Sequence, residues 1–474
     1  MTPEEFRHHG HALIDFIADT RTRIAAGEFP VMALVKPGAL RAQLPKSAPL
    51  QGEPFENVLA DLEKLILPAC THFLDPRFYG FFPGANLLPG VLGDLASTGL
   101  GQLGLSWQSS PALTELEEVT TDWLRQASGL SDAWQGVLQD TASSATLVAL
   151  ICARERATAY SAARGGLQSH NARLVMYASK QAHSSVEKAA TLAGFGRDTI
   201  RLIDTDDKFA LRADHLAAAI RADQAAGLQP CAIVATTGTT GTTALDPVAA
   251  CAALAREHGL WLHVDAAMAG SAMLLPECRW MWEGVEGADS IVTNPHKWLG
   301  VSFDCSAYFV RDPEHLIRVM STNPSYLQTA ADGQVRNYRD WGIPLGRRMR
   351  ALKLWFVLRE QGIEAIQTRL QRDIANAKWL AEQVDAAAST HWRRLAPVPL
   401  QTVCLRHEPP GLSGDALDTH TLAWARRLNE SGQMYVTPSL LAGRWMVRVS
   451  IGSSATERHH VEAAWQQMQR EVKN

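Results

Sequence analysis

The chain has 474 residues, 46% of them hydrophobic and 20% charged, with a formal net charge of −4. This is ordinary globular composition; it excludes wholesale disorder, and 34 Gly with 23 Pro excludes a collagen-like repeat. A mildly acidic balance argues against nucleic acid or an anionic membrane as a general partner.

Residues 3–27 carry Leu13, Ile14, Ile17 and Ile24 near helical spacing, so an amphipathic helix is predicted there. The first residues are polar and lack the apolar core of a signal peptide, and no run of about 20 apolar residues follows to span a membrane. Pro30, Pro37, Pro45, Pro49 and Pro54 punctuate an extended arm, and a second helix is predicted at 55–67. Two helices joined by such an arm bury their apolar faces poorly alone, which points to a docking surface, such as another subunit. From about residue 140 short apolar runs alternate with helical stretches: Leu174–Tyr177, Ile200–Ile203, Cys231–Ala235, Trp261–Val264, Ser290–Val292 and Cys305–Val310, with helices at 143–164, 184–194, 212–226 and 247–258. That alternation predicts a mostly parallel sheet covered by helices, with ligands at the carboxyl ends of the strands. After residue 345 the pattern is helical to about 385. Thr402–Arg406, Trp445–Ile451 and a helix at 455–472 then make a small α+β domain. The expected division is 1–84 as an N-terminal helical arm, 85–370 as the large domain and 371–474 as the small C-terminal domain.

Seven cysteines, odd in number and without a CxxC pair, argue against a disulfide framework and a zinc ribbon, and for a reducing, cytoplasmic setting. No metal site is expected: His8, His9 and His11 scatter around a helix and read as solvent-facing, as do His459 and His460. Gly99, Gly101 and Gly104 satisfy GxGxxG, but no convincing strand precedes them, so the match reads as chance.

The strand-end segments hold the chemistry. Asp265 closes the run from Trp261, followed by the small residues Ala266 and Ala267, and Lys297 follows the next run within Asn294-Pro-His296-Lys297-Trp. A lysine and a carboxylate at successive strand ends suit pyridoxal phosphate, which needs an amine to bond its aldehyde and an acid to pair with its pyridinium nitrogen. A turn-capping Asp and a surface Lys would read the same way in isolation. His183, between a strand and a helix, can stack on a flat ring or serve as an ordinary loop histidine. Thr141, Ala142 and Ser143 open a helix whose exposed N–H groups can take a phosphate, or where a hydroxyl simply caps the helix. Thr240 sits in a Gly/Thr turn after another strand.

Their order and spacing, with Phe78-Tyr-Gly-Phe-Phe82-Pro, Ser106-Trp-Gln-Ser-Ser-Pro111, Asn323-Pro-Ser-Tyr326 and Trp341-Gly-Ile-Pro-Leu-Gly346-Arg-Arg, resemble the pyridoxal-phosphate group II decarboxylases over nearly the whole chain. More narrowly the chain is similar to the aromatic-L-amino-acid decarboxylases. The resemblance implies an aspartate-aminotransferase-like fold (fold type I of the pyridoxal-phosphate enzymes), a homodimer with sites at the subunit interface, and release of aromatic amine and carbon dioxide from an aromatic L-amino acid. It implies that Lys297 bonds the cofactor, Asp265 pairs with its ring nitrogen, Ala267 packs on the ring and His183 stacks on it near the substrate carboxylate. Thr141, Ala142, Ser143, Asn294 and His296 would surround the phosphate, with Thr240 and His263 lining the ring environment. Tyr326, in the segment 321–337, would supply a proton to the substrate Cα. Phe73, Phe81, Phe82, Pro83, Gly84, Leu103, Leu105 and Gly346 would line the substrate pocket, Leu103 and Leu105 on the partner's side.

Departures from the family bear on the substrate. Phe73 and Phe81 stand where family members commonly carry Trp and Tyr, and Gly84 where animal members carry Thr, leaving a roomier and less polar wall. Desolvating a catechol there costs about 1–3 kcal/mol, and Gly346 accompanies indole substrates in plant relatives. The expectation leans to tryptophan, 5-hydroxytryptophan or phenylalanine over tyrosine and DOPA. Rival readings are an aromatic acetaldehyde synthase, which Tyr326 in place of phenylalanine disfavours; an aminotransferase, for which Arg448 would be the carboxylate-binding arginine; and a non-catalytic cofactor-binding scaffold.

Overall fold

Runs of apolar residues become strands here because helices cover both of their faces. The computed structural model describes residues 1–84, 86–322 and 331–472. Seven strands form one sheet: β1 (Gln135–Gln139), β2 (Leu174–Ser179), β3 (Ile200–Ile203), β4 (Gln229–Thr236), β5 (Trp261–Asp265), β6 (Ser290–Thr293) and β7 (Ser306–Val310). Their spatial order is β1-β7-β6-β5-β4-β2-β3. Pairing is parallel from β3 through β6, while β7 is antiparallel to both β6 and β1. Six strands therefore share one direction, and only β7 opposes them. Their carboxyl ends lie along one edge, together with the amino end of β7. Every residue of β2, β5, β6 and β7 is buried, as a sheet covered on both faces requires. The helix Ala142–Ala157 packs on the sheet through Ala145, Val148, Ala149 and Cys152, and its alanines allow close approach.

The chain divides into two compact units. One comprises residues 84–375 and 396–402 and holds the seven-stranded sheet; the other comprises 1–83, 376–395 and 403–474. The second unit contains a four-stranded sheet of order β10-β11-β9-β8, from β8 (Trp392–Arg394), β9 (Thr402–His407), β10 (Thr437–Leu441) and β11 (Arg444–Ser450). The amino-terminal segment joins this sheet: the Tyr79 N–H donates to Tyr435 O at 2.8 Å, and Ser450 N–H donates to Tyr79 O at 3.0 Å. The Phe78 ring stacks on Tyr435, centroids 5.0 Å apart.

The first helix runs Pro3–Ala25, and its start is fixed by a capping box between Thr2 and Glu5. The second spans its predicted length but not as one α-helix. It is α-helical over Phe55–Asp61, widens to a π turn at Leu62–Ile66 and ends in a 3₁₀ turn at Leu67–Ala69, because Pro68 lacks an N–H and its ring crowds the preceding turn. The long helix Arg350–Ala386 is broken at Gly362, where φ of +69° is a conformation that glycine adopts without cost. Helices at Leu88–Gly99, Pro111–Ala127 and Gly414–Glu430, and strands β1, β8 and β10, are additions to the sequence reading. Gly99 ends a helix, so the GxGxxG pattern follows no strand and holds no dinucleotide turn. Two histidine readings are corrected. His9 is half-buried against Phe55 (ring centroids 5.0 Å apart) and reaches within 3.8 Å of Glu56, and His460 accepts the Glu457 N–H at the start of the last helix. Among the described residues no helix is long and apolar enough to cross a membrane.

Candidate active site

The site residues of the large unit come from successive loops at the carboxyl edge of its sheet. Asp265 is the last residue of β5 and is almost wholly buried. Its Oδ1 accepts the Ala267 N–H at 3.1 Å, so the two small residues after the strand form a tight turn around the carboxylate. The ends of β5 and β6 are stitched together: Ala266 N–H donates to Val292 O at 2.9 Å, and Asn294 N–H donates to Ala267 O at 3.0 Å. Lys297 follows in the turn Pro295–Leu299, with φ −96° and ψ −116°, outside the helical region.

His183 caps the helix Ser184–Leu192 that follows β2. The Ser185 N–H donates to His183 Nδ1 at 3.2 Å. An amide can only donate, so Nδ1 carries a lone pair and the proton of the neutral ring sits on Nε2. Desolvation lowers the His183 pKa; the positive charge of Lys297 lowers it further, and Asp265 opposes them. Lys297 and Asp265 thus each lie within electrostatic reach of His183, and the imidazole is held toward its neutral form.

His296 is buried enough for its pKa to fall to about 4, with Lys297 adding to the effect. Its Nδ1 accepts the Cys305 N–H at 2.9 Å, so its remaining N–H is on Nε2. Asn294 Oδ1 accepts the Ser306 hydroxyl at 2.6 Å, which fixes the amide so that its NH₂ points away from Ser306. Thr141 is the N-cap of the helix Ala142–Ala157, and its Oγ1 accepts the Ser144 N–H at 3.5 Å. Because β1 runs with the parallel strands, this helix N-terminus opens on the same edge. Thr240 lies in the turn after β4, and an added Cβ at the neighbouring Gly241 would come within 3.0 Å of Gln181 Oε1, next to the His183 loop. His263 is withdrawn into the sheet rather than lining an open site: Nε2 meets Thr146 Oγ1 at 3.2 Å, Nδ1 meets Ser290 Oγ at 2.9 Å, and burial pushes its pKa down to about 4.

The pocket candidates fall in both units. In the large unit an added Cβ on Gly84 would sit 3.0 Å from the His296 carbonyl oxygen, so a threonine in its place requires a backbone shift. Leu103 lies beside Gly346, where an added Cβ would meet Leu103 Cδ1 at an ordinary 3.5 Å, and Leu105 is half-buried. In the small unit Phe73 packs on Phe78 with centroids 4.6 Å apart and stacks near Phe81 at 6.2 Å. Arg448 is buried, lies over the Phe82 ring at 5.0 Å and donates to Phe81 O at 3.2 Å; Pro83 ends this unit. A guanidinium committed to backbone and ring in this way is poorly suited to clamp a substrate carboxylate, which weakens the aminotransferase reading. Tyr326 lies outside the described residues.

An amine, a carboxylate and a neutral imidazole together beside a helix N-terminus are the donor set that pyridoxal phosphate requires, so the residues present fit the group. The sequence reading missed Arg369, Asp373 and Trp298, which brace the turn bearing Lys297. In sequence Arg369–Asp373 resembles the solvated face of a long helix and gives no signal.

Residues 37–407 match the pyridoxal-dependent decarboxylase conserved domain. The chain is 39% identical over 479 residues to tryptophan decarboxylase TDC2 of Camptotheca acuminata, covering 98% of this chain and 94% of that one. It is also 39% identical over 482 residues to phenylacetaldehyde synthase of Arabidopsis thaliana, covering 100% and 96%. Among solved structures, a TDC of Oryza sativa with PLP and tryptamine superposes with a TM-score of 0.96 at 36% identity, covering 100% of this chain and 98% of that one.

Proposed function

Since the chain belongs to the pyridoxal-dependent decarboxylase family, we propose that its substrates are aromatic L-amino acids, from which it releases carbon dioxide and the aromatic amine. The observation that carries this reading is that Asp265 and Lys297 stand in the turns after adjacent strands β5 and β6, both within electrostatic reach of His183. Pyridoxal phosphate, when bound, supplies an aldehyde that condenses with amines and a ring that draws electrons from the substrate α-carbon.

The protein's own groups do the rest. Lys297 Nζ is the amine that would bond the cofactor. Asp265, a carboxylate held by the Ala267 N–H, keeps a proton on the ring nitrogen. His183 presents a neutral ring that can stack without adding charge. The first N–H groups of the helix at Ala142, with Thr141 and Ser143, hold the phosphate, and His296 Nε2–H and the Asn294 NH₂ are the side-chain donors beside them. Tyr326 supplies the proton that replaces the carboxyl group at Cα. In the large unit Gly84, Leu103, Leu105 and Gly346 supply apolar wall for the substrate side chain. Two copies of the chain make the working unit. Leu88, Leu92 and Leu95, spaced along one face of the helix Leu88–Gly99, are each about half exposed, as are Leu103, Ile343 and Leu345, and a second subunit is the natural cover for that surface.

Tryptophan, 5-hydroxytryptophan, phenylalanine, tyrosine, DOPA and histidine assayed side by side for products test this reading. Aromatic amine in step with carbon dioxide is expected, with tryptophan, 5-hydroxytryptophan or phenylalanine giving the highest kcat/KM. A DOPA value more than roughly tenfold above them all, a gap of about 1.4 kcal/mol, overturns the substrate preference alone. In Tyr326→Phe, amine formation is expected to fall by about 10²–10⁴-fold, the usual worth of a positioned acid. Aldehyde, ammonia and hydrogen peroxide are then expected as oxygen and water are consumed. Aldehyde as the main product of the unaltered protein would instead make it an aromatic acetaldehyde synthase.

A further inference from the structure

Lys297 sits between two fixed stretches of backbone. On its amino side His296 is tied to Cys305 twice, by the Cys305 N–H to His296 Nδ1 at 2.9 Å and by the His296 N–H to Cys305 O at 3.2 Å. On its carboxyl side the long helix Arg350–Ala386 reaches across. Arg369 donates from Nη1 to Trp298 O at 2.9 Å and from Nη2 to Leu299 O at 2.8 Å, so one planar fork holds two consecutive carbonyls. One turn further along that helix Asp373 Oδ2 accepts the Trp298 indole N–H at 2.9 Å, and its Oδ1 accepts from Arg372 at 3.1 Å.

The clamp itself is buried: Asp373 and Trp298 are at most 1% exposed and Arg369 is 9% exposed. Burial pushes Asp373 up to about 6, against the pull of Arg372, the Trp298 bond and Arg369. Packing alone would be met by apolar side chains of similar volume, without taking ionic groups out of water. What the fork and the carboxylate add is direction. With both carbonyls and the indole fixed, the peptide planes after Lys297 cannot rotate, and its Cα–Cβ bond points one way.

We propose that Arg369 and Asp373 are positioning residues that aim Lys297 Nζ at the cofactor by locking the two residues that follow it. This rests on the reading of Lys297 as the cofactor-bonding lysine. Neither residue touches the reacting atoms; their effect passes through Trp298 and Leu299. A lysine mispositioned by loss of the clamp holds the cofactor less well and returns to it more slowly, while substrate contacts elsewhere stay as they were.

Holoenzyme incubated with isotopically labelled pyridoxal phosphate, then reduced with borohydride and mapped by mass spectrometry, tests the proposal. The variants are Arg369→Met, Arg369→Lys, Asp373→Asn, Trp298→Phe and the Trp298→Phe/Asp373→Asn double. Label is expected to reach Lys297 about tenfold faster in Arg369→Met, with kcat down about 10–100-fold, the scale of a small misplacement of a reacting group, and substrate KM within about twofold. Arg369→Lys, which keeps the charge but can hold only one carbonyl well, should fall between Arg369→Met and the unaltered protein. Trp298→Phe removes a single N–H and retains a large buried ring, so it serves where Asp373→Asn or Arg369→Met fails to fold. Because Trp298 and Asp373 share one bond, the double variant should exchange no faster than the faster single one. Exchange and kcat at the unaltered rates in folded variants, or fully additive losses in the double, overturn the proposal. An adduct on another lysine in the unaltered protein would instead overturn the assignment of Lys297, whatever the clamp variants do.

Discussion

Lys297→Ala is expected to retain pyridoxal phosphate only reversibly and to lose about 10⁴-fold or more in turnover, the scale seen when a group acting as part of a catalytic unit is removed. Among the described residues no neighbouring amine stands ready to replace it. The turn Pro295–Leu299 holds no other lysine, and Lys353, which is fully buried, is paired with Asp94 at 3.1 Å. The variant should fold normally. The Lys297 side chain is only half-buried, and its backbone bonds, N–H to Asn294 O at 2.9 Å and O from Gly300 N–H at 3.2 Å, do not involve the ammonium group. Borohydride reduction followed by mass spectrometry checks the result: an adduct on Lys297 in the unaltered protein and none in the variant. An unchanged decarboxylation rate in Lys297→Ala would remove this residue from the mechanism.

Asp265→Asn is expected to lower kcat by about 10²–10³-fold, comparable to deleting one electrostatic stabiliser from a preorganised site. Asparagine retains an oxygen that can accept the Ala267 N–H, so the turn survives, but it cannot keep a proton on the ring nitrogen by charge. His183 provides a second readout. Of its two charged neighbours Asp265 raises its pKa and Lys297 lowers it, so removing the carboxylate should move the His183 pKa further down. NMR titration of the imidazole in both proteins checks this. A His183 titration unmoved by the change would mean that the two groups are not neighbours in solution.

The strands that fill the middle of the sheet were legible because each is a continuous apolar run, the mark of burial on both faces. β1 was not legible. Gln135-Gly-Val-Leu-Gln139 has polar residues at both ends, and Gln139 is tolerated inside because its Nε2 donates to Trp341 O at 2.9 Å, 202 positions away. No local pattern announces a partner at that distance. The same contrast divides the site. Asp265, Lys297 and His183 stand at strand ends, where chain order alone brings them together. Trp298 and Asp373 meet across 75 positions, through an indole that reads as core and a carboxylate that reads as surface. The widened turn at Leu62–Ile66 was obscured for a different reason. A π turn repeats apolar residues almost as an α-helix does, and only Pro68 hinted that the helix could not continue.

The single reversed strand also sets the order in which the protein can assemble during its synthesis. Among the described residues β1 has only β7 as a sheet neighbour, with Gln139 paired to Ser306 and Gln135 to Val310. The helix that presents Thr141, Ala142 and Ser143 therefore hangs from a strand whose sole partner is made roughly 170 residues later, about 10–30 s at ~5–20 residues/s of ribosomal synthesis. Through that interval β2 to β6 emerge and pair in turn, and the helix can pack on β4, β5 and β6 as they form, but β1 itself has no strand to pair with. Docking of β1 into the sheet then waits until β7 has left the ribosome. An edge strand waiting that long is also where a chaperone would find exposed backbone.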